Sequence, residues 1–413
     1  MYIDSQDIMN EKDSTVHISV AKKILAIGGV LFVFLLSLDL MVSGFSELGV
    51  SAAESIIYAT SNPFISLFIG LLITALVQSS SASTSLFVAA VASGSLSMES
   101  AVPMVMGANI GTTITSTIVS LGFITKRNEF RKAIAAGTAH DFFNILTTIV
   151  LFPLEYFYGF LSGTAQAITS NLSSYIIIDQ TQEGGFNLFE SLPVDTYLSQ
   201  VVDNPYIAIV LAFILLFASI KLMSKLIYKF VIGESKGRLR NYVFKKPIKS
   251  FAWGTGITAL IQSSSVTTSL IVPLVATGKV KLKNAIPFIL GANIGTTITA
   301  FIALLFDSSA ALSIAITHLL FNMIGVFLFL PLAPLRNLLT TMANFLGRIT
   351  INYRLAGFAY IILTFFLIPF TLIFFSKDNM KDKEAASITN TKVSIEVKQP
   401  SSEKATLIAI SKD

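Results

Sequence analysis

An ungapped internal duplication limits what this chain can fold into: residues 73–122 and 257–306, offset by 184, are identical at 28 of 50 positions. A further echo at offset 178 matches "AHDFFNILTTIVLFPL" with "THLLFNMIGVFLFLPL". Each copy reads as an apolar helix, a polar break, a second apolar helix and a glycine-containing span. The breaks are "QSSSASTS" (Gln78–Ser85) and "QSSSVTTS" (Gln262–Ser269), and the spans carry "GANIGTTIT" at Gly107–Thr115 and Gly291–Thr299. Any fold for this chain must therefore place the same polar device twice.

The medium follows from composition. With 53% hydrophobic and 13% charged residues in 413, and a mean hydropathy of +0.73, the chain reads as a multi-span integral membrane protein. The charge of +5 lies in loops beside apolar runs, without aromatic interleaving, which argues for membrane orientation and against nucleic-acid binding. There is no cysteine, so disulfides and thiolate sites are excluded. The first 20 residues are polar and mixed in charge, and no cleavable signal peptide is expected.

The apolar helices beside each "QSSS" are too short to cross a hydrocarbon core that needs about 20 residues. Re-entrant hairpins with tips near mid-membrane are expected, since irregular backbone at that depth must be buried in protein or line a wet cavity. Full spans are expected at 24–45, 98–122, 130–153, 204–230, 282–306, 311–333 and 354–376, with the "GANIGTT" spans unwound. Three crossings separate the hairpins, so the repeats are expected to be inverted. Charge agrees: "KRNEFRK" and the Lys and Arg between Lys221 and Lys249 read as cytoplasmic, while no Lys or Arg lies between Lys132 and Lys221. "LEYFYGFLSGTAQAITS" and "LRNLLTTMANFLGRIT" read as interfacial helices.

The fold class is thus all-α, a polytopic membrane protein with two inverted-topology repeats, each with a re-entrant hairpin and an unwound transmembrane helix. The expected layout is a cytoplasmic N-terminal segment (1–23), a first repeat (24–170), an extracytoplasmic loop (171–203), a second repeat (204–350), a final transmembrane helix (351–376) and a polar, disordered tail (377–413).

Polar groups in hydrocarbon cost several kcal/mol each when unsatisfied, at roughly the scale of a lost hydrogen bond in an apolar medium. Helix packing is the bland role, and it stays open for Thr84, Ser85, Thr268 and Ser269. For Ser79, Ser80, Ser81, Ser263, Ser264 and Ser265 the sharper reading is that each run caps the next half-helix, where free N–H groups and the dipole favour an anion. Asn109 and Asn293 lie in the adjoining "GANIGTT" spans and join them as candidate substrate-binding residues. Those spans also offer neutral oxygens to a hard monovalent cation such as sodium. Asp141, a carboxylate in an apolar segment, reads as a cation ligand or a buried structural partner. Asn144 and Asn322 divide between ligation and packing, and His140 and His318, equivalent in the two copies, between a satisfied core histidine and a proton switch. No Walker A motif, nucleophile elbow or dinucleotide fold accompanies these segments, so the chain is not read as an enzyme.

Duplicated "QSSS", duplicated "GANIGTT", "RNEFRKA…AHDFFN" and "HLLFN" resemble the type II sodium-dependent phosphate cotransporters, over residues 60–376. The resemblance implies symport of inorganic phosphate with sodium as coupling ion, by alternating access. It implies a sodium site at Gln262, Ser263, Thr296, Thr299 and Thr117, with Gln78, Thr112 and Thr115 as first-copy counterparts, and an electrogenic role for Asp141 beside Asn144. The short chain resembles the bacterial members and would be a multi-pass protein of an inner membrane, with phosphate, sodium and lipid as partners. Another oxyanion such as sulfate, or a passive anion channel, are the competing readings.

Overall fold

The computed structural model describes residues 60–173, 204–227, 243–299 and 308–375, with residue 301 and parts of 22–58. Among these every regular element is helical and no strand occurs. Two units end and begin at Pro369 and Phe370; of the second, the described residues 370–375 are helical. The N-terminal segment, most of the extracytoplasmic loop and the tail expected from sequence lie outside the described residues.

In chain order the helices are α1 (Leu25–Ser37), α2 (Pro63–Val77), α3 (Ser80–Ala92), α4 (Met98–Gly111), α5 (Ile114–Leu121), α6 (Arg127–Tyr158), α7 (Phe160–Ser173) and α8 (Pro205–Ile227). The second half adds α9 (Pro247–Ile261), α10 (Ser264–Ser269), α11 (Ile271–Ala276), α12 (Leu282–Thr296), α13 (Ser309–Phe329), α14 (Ala333–Asn352) and α15 (Ala356–Ile362), which runs on through a π-helical turn at Leu363–Leu367. Four helical segments have the length and apolarity to cross a membrane: 98–121, 127–158, 309–329 and 356–375. Three other expected crossings fall partly on residues that are not described. Apolar side chains such as Ile149, Phe157 and Phe327 face outward, as lipid contact requires.

Local sequence sets the short helices of each copy. Both α2 and α9 begin with proline in the first turn, where its missing N–H costs nothing, and α2 is also capped by the Asn62 side chain. Each is 15 residues long, about 22 Å at 1.5 Å per residue, which is short of a full hydrocarbon core.

Glycine decides how these helices pack. A Cβ on Gly70 would lie 2.1 Å from the Met104 carbonyl oxygen, and one on Gly254 2.1 Å from that of Phe288. Gly107 and Gly291 meet the Leu67 and Phe251 carbonyls at 1.8 and 2.1 Å in the same sense. Every one of these pairs repeats at offset 184, so the duplication is structural as well as sequential. Lipid tails are as apolar as leucine, so helices in a bilayer gain from such backbone approach rather than from hydrophobic burial. This corrects the expectation that "GANIGTT" is unwound by its glycines. Gly107, Gly111 and Gly291 are helical, and the break in the first copy is confined to Thr112 and Thr113, whose backbone stays right-handed. In the second copy α12 tightens into a 3₁₀ turn over 297–299.

The core is exchanged between the copies. Phe321, Ala315 and Ile314 of α13, from the second copy, pack with Phe87, Val105 and Met106 of the first. Phe143, Ala136 and Ala139 of α6, from the first, pack with Val272, Ile286 and Ile289 of the second.

The two segments read as interfacial helices differ at their edges. Residues 154–158 complete α6, and the chain turns at Gly159 (φ 57°) before α7. The Glu155 carboxylate accepts from the Leu161 and Ser162 N–H groups at 2.6 and 3.1 Å, so α6 itself caps α7.

Candidate functional site

The two "QSSS" segments, 184 residues apart, meet. Gln78 and Gln262 end α2 and α9 in the left-handed conformation, at φ 57° and 58°, each donating its N–H back to Thr74 or Thr258. Among the described residues they are the only non-glycine residues at positive φ, a conformation that costs about 1–2 kcal/mol. Strain held twice at one equivalent position points to a site whose backbone direction matters. The next residue of each copy, Ser79 or Ser263, caps the following helix through its side chain, accepting from Ala82 or Val266 N–H at 3.3 Å. Helix geometry then leaves the N–H groups of Ser80, Ser81, Ser264 and Ser265 without intrahelical partners, and all four residues are buried.

Contacts across the tips are reciprocal. Ser81 Oγ donates to the Gln262 carbonyl at 3.2 Å, and Ser265 Oγ lies 3.4 Å from the Gln78 carbonyl. Residue i touching j of the other copy while its counterpart touches the counterpart of j is what a two-fold relation produces. The glycine-containing spans close on the opposite tips: Thr112 Oγ1 lies 3.0 Å from Ser265 Oγ, and Thr299 Oγ1 donates to Ser81 Oγ at 3.2 Å. Thr112 and Thr299 are not counterparts, so symmetry is broken here.

One helical turn back, a carboxamide chain crosses the core. His140 Nε2 lies 2.5 Å from Asn293 Oδ1, Asn293 Nδ2 donates to Asn144 Oδ1 at 2.8 Å, and Asn144 Nδ2 donates to the Asn109 carbonyl at 2.6 Å. Asn322 Nδ2 donates to Asn109 Oδ1 at 3.1 Å. The 144–293 and 322–109 pairs are again reciprocal, but His318, the counterpart of His140, is fully buried with neither ring nitrogen bonded.

Asp141 is fully buried on α6, where Oδ2 accepts from Thr117 Oγ1 at 3.0 Å and Oδ1 has no hydrogen bond. A buried carboxylate without a countercharge is costly, and a cation or further donors must offset it. In the second copy Phe301 and Leu319 stand where Thr117 and Asp141 stand in the first, so this feature exists once. Of the sequence candidates, Thr115 is near this region in the chain with its hydroxyl buried and unbonded, while Thr296 Oγ1 turns to the Asn293 carbonyl of its own helix at 2.7 Å. Thr117 is bonded to Asp141 and makes no hydrogen bond to the Gln262 group.

The arrangement offers four free N–H donors and several hydroxyls at one point, with no Lys or Arg in 24–125, 250–278 or 284–335. Such a site suits an anion accompanied by hard cations. The profile of the Na+/Pi-cotransporter family matches residues 33–150 and 215–352, covering both copies. The chain belongs to the Na+/Pi-cotransporter family.

Among its relatives in that family are sodium-dependent phosphate transport protein 2A of Rattus norvegicus, 34% identical over 424 residues, and protein 2B of Homo sapiens, 32% identical over 441. These alignments cover 84% and 83% of this chain but 66% and 64% of the relatives, so it spans about two-thirds of their length. No solved structure matches the chain. The family is one of transporters rather than enzymes, and the apolar helices make the chain a multi-pass membrane protein.

His140 and Asn322 are visible in the sequence as repeated positions, and the structure joins His140 to Asn293 and Asn322 to Asn109. Tyr360 carries no such mark. Its hydroxyl, buried and without a hydrogen bond of good geometry, lies within interaction range of Asp141 from a helix outside both copies.

Proposed function

We propose that this chain is a secondary active symporter that couples inward sodium movement to uptake of inorganic phosphate, as HPO4 2−, across an inner membrane. Two inverted repeats alternate access to a site between their re-entrant tips, so the two-fold axis lies in the membrane plane. The observation that carries this reading is the meeting of the strained Gln78–Ser81 and Gln262–Ser265 tips, with four free N–H donors and no basic residue. The names of the 2A and 2B relatives support the substrate and the coupling ion.

Phosphate oxygens accept from Ser80, Ser81, Ser264 and Ser265 N–H groups and from the serine hydroxyls, with Asn109 and Asn293 behind them. Sodium, as cargo, takes neutral oxygens from Gln262, Ser263, Thr296 and Thr299, with Gln78, Thr112 and Thr115 as the first-copy set. Asp141, with Thr117 and Asn144 nearby, adds one cation and makes transport electrogenic. The cations neutralise an anion that a low-dielectric cavity would otherwise reject.

The test is tracer phosphate uptake into sealed proteoliposomes under an inward sodium or potassium gradient. Uphill accumulation with sodium alone is the expected result. Equilibration whichever cation is present would make the protein a passive channel, and equal competition by sulfate would make it a general oxyanion carrier.

A further inference from the structure

The Tyr360 side chain is fixed in place for a reason that the duplicated architecture does not supply. Its ring lies between Phe142 and Phe365, with centroids 6.2 and 6.4 Å away, and Phe365 is fully buried. A π-helical turn begins at Leu363, three residues later, and such turns recur where a helix must aim a side chain at a functional site. The clamp holds the hydroxyl in the interior close enough to the Asp141 carboxylate to interact with it, although neither the hydroxyl nor the buried Oδ1 makes a hydrogen bond of good geometry. Two oxygens left without well-formed hydrogen bonds in the protein interior cost about 1–3 kcal/mol apiece unless something joins them. Thr117 satisfies only the other carboxylate oxygen.

We propose that Tyr360 belongs to the Asp141 cation site, its hydroxyl donating to Asp141 when the site is empty and lending a neutral oxygen to a hard monovalent cation when it is filled. This rests on reading Asp141 as a cation ligand. A phenol suits both states, because its O–H can turn between donating to a carboxylate and presenting a lone pair to an ion. Placement explains why the site exists once. In the second copy Phe301 and Leu319 replace the hydroxyl and the acid together, and α15 lies outside both copies. One carboxylate, one threonine and one tyrosine from three helices thus form an asymmetric cation site on an otherwise duplicated frame.

The experiment uses the full chain with Tyr360→Phe, Asp141→Asn, the double variant and, as control, Tyr353→Phe, whose side chain is exposed. Tyr360→Phe keeps the ring and its aromatic contacts, and sodium-free thermal melting confirms that the variant folds. Phosphate uptake is titrated with sodium at constant ionic strength, and the melting shift produced by sodium chloride alone is measured in parallel. Losing the phenol oxygen as a ligand of the filled site outweighs losing its hydrogen bond in the empty one, and should raise the sodium concentration for half-activation about tenfold. Phosphate KM at saturating sodium should stay unchanged. In the Asp141→Asn background the same substitution should add nothing, which a purely structural role would not produce. A sodium dependence within about twofold of the unmodified protein, well short of the expected shift, overturns the proposal. So does an undiminished effect when Asp141 is already replaced. An unmodified protein without any sodium response would overturn the transport reading itself.

Discussion

Two glycines on one helix give the sharpest test of the packing argument. A Cβ on Gly254 would meet the Phe288 carbonyl oxygen at 2.1 Å, whereas one on Gly256, two residues on, meets nothing within 4 Å. Both substitutions to alanine remove a glycine from the interior of α9, a gain of about 0.5–1 kcal/mol. Only Gly254→Ala must also part α9 from α12, by at least 0.9 Å to reach the 3.0 Å below which Cβ atoms are not found (3.0 − 2.1). Overpacking of that kind costs about 1–3 kcal/mol, so the net effect is destabilising. Asn293 lies about half a turn round α12 from Phe288, Gly291 and Gly295, so the same displacement presses it toward α6 and disturbs its 2.5 Å contact with His140. Thermal melting and sodium-driven phosphate uptake, measured on both variants, should therefore diverge: Gly256→Ala melts at or above the unmodified protein with normal uptake, and Gly254→Ala melts lower with uptake reduced about tenfold or more. Gly70→Ala, with the same 2.1 Å approach to Met104, should repeat the result in the first copy. If Gly254→Ala and Gly256→Ala behaved alike, close backbone approach would not be what holds the site's helices in place.

Replacing Gln262 by glycine should relieve about 1 kcal/mol of left-handed strain, offset by glycine's own entropy, and so leave thermal stability nearly unchanged. Sodium-driven uptake should nevertheless fall; normal sodium activation in this variant would exclude the Gln262 side chain from the cation site. Ser81→Leu and Ser265→Leu each remove a hydroxyl that reaches the opposite tip and put bulk beside the free N–H groups, so phosphate affinity should drop about 10- to 150-fold. Tracer uptake across a phosphate titration measures it, and unchanged KM in both would place the anion elsewhere. Asp141→Asn should keep sodium-dependent phosphate uptake but lose net charge movement. Uptake and membrane potential recorded in the same vesicles decide this, with unaltered charge per phosphate as the contrary result.

The sequence by itself determined the medium, the helical class and the existence of two equivalent polar breaks, because hydropathy, helix length and a repeated motif are local properties of the chain. It marked Gln78–Ser81 and Gln262–Ser265 as segments that must find partners, since hydroxyls in an apolar run need them wherever the run is placed, while Thr112 and Thr299 were named only through the family resemblance. What the glycines of "GANIGTT" do was not local: flexibility and small size are the same residue, and only a facing-helix carbonyl standing where a Cβ would need to be separates packing from unwinding. Which Asn faces which, and that His140 is bonded while His318 is not, depended on α6 and α13 exchanging cores, a long-range choice that no short pattern encodes. Tyr360 was invisible for the same reason. It lies beyond both repeats, in a segment whose composition says only lipid, and it meets Asp141, 219 residues earlier (360 − 141), only because the last helix returns to the first copy.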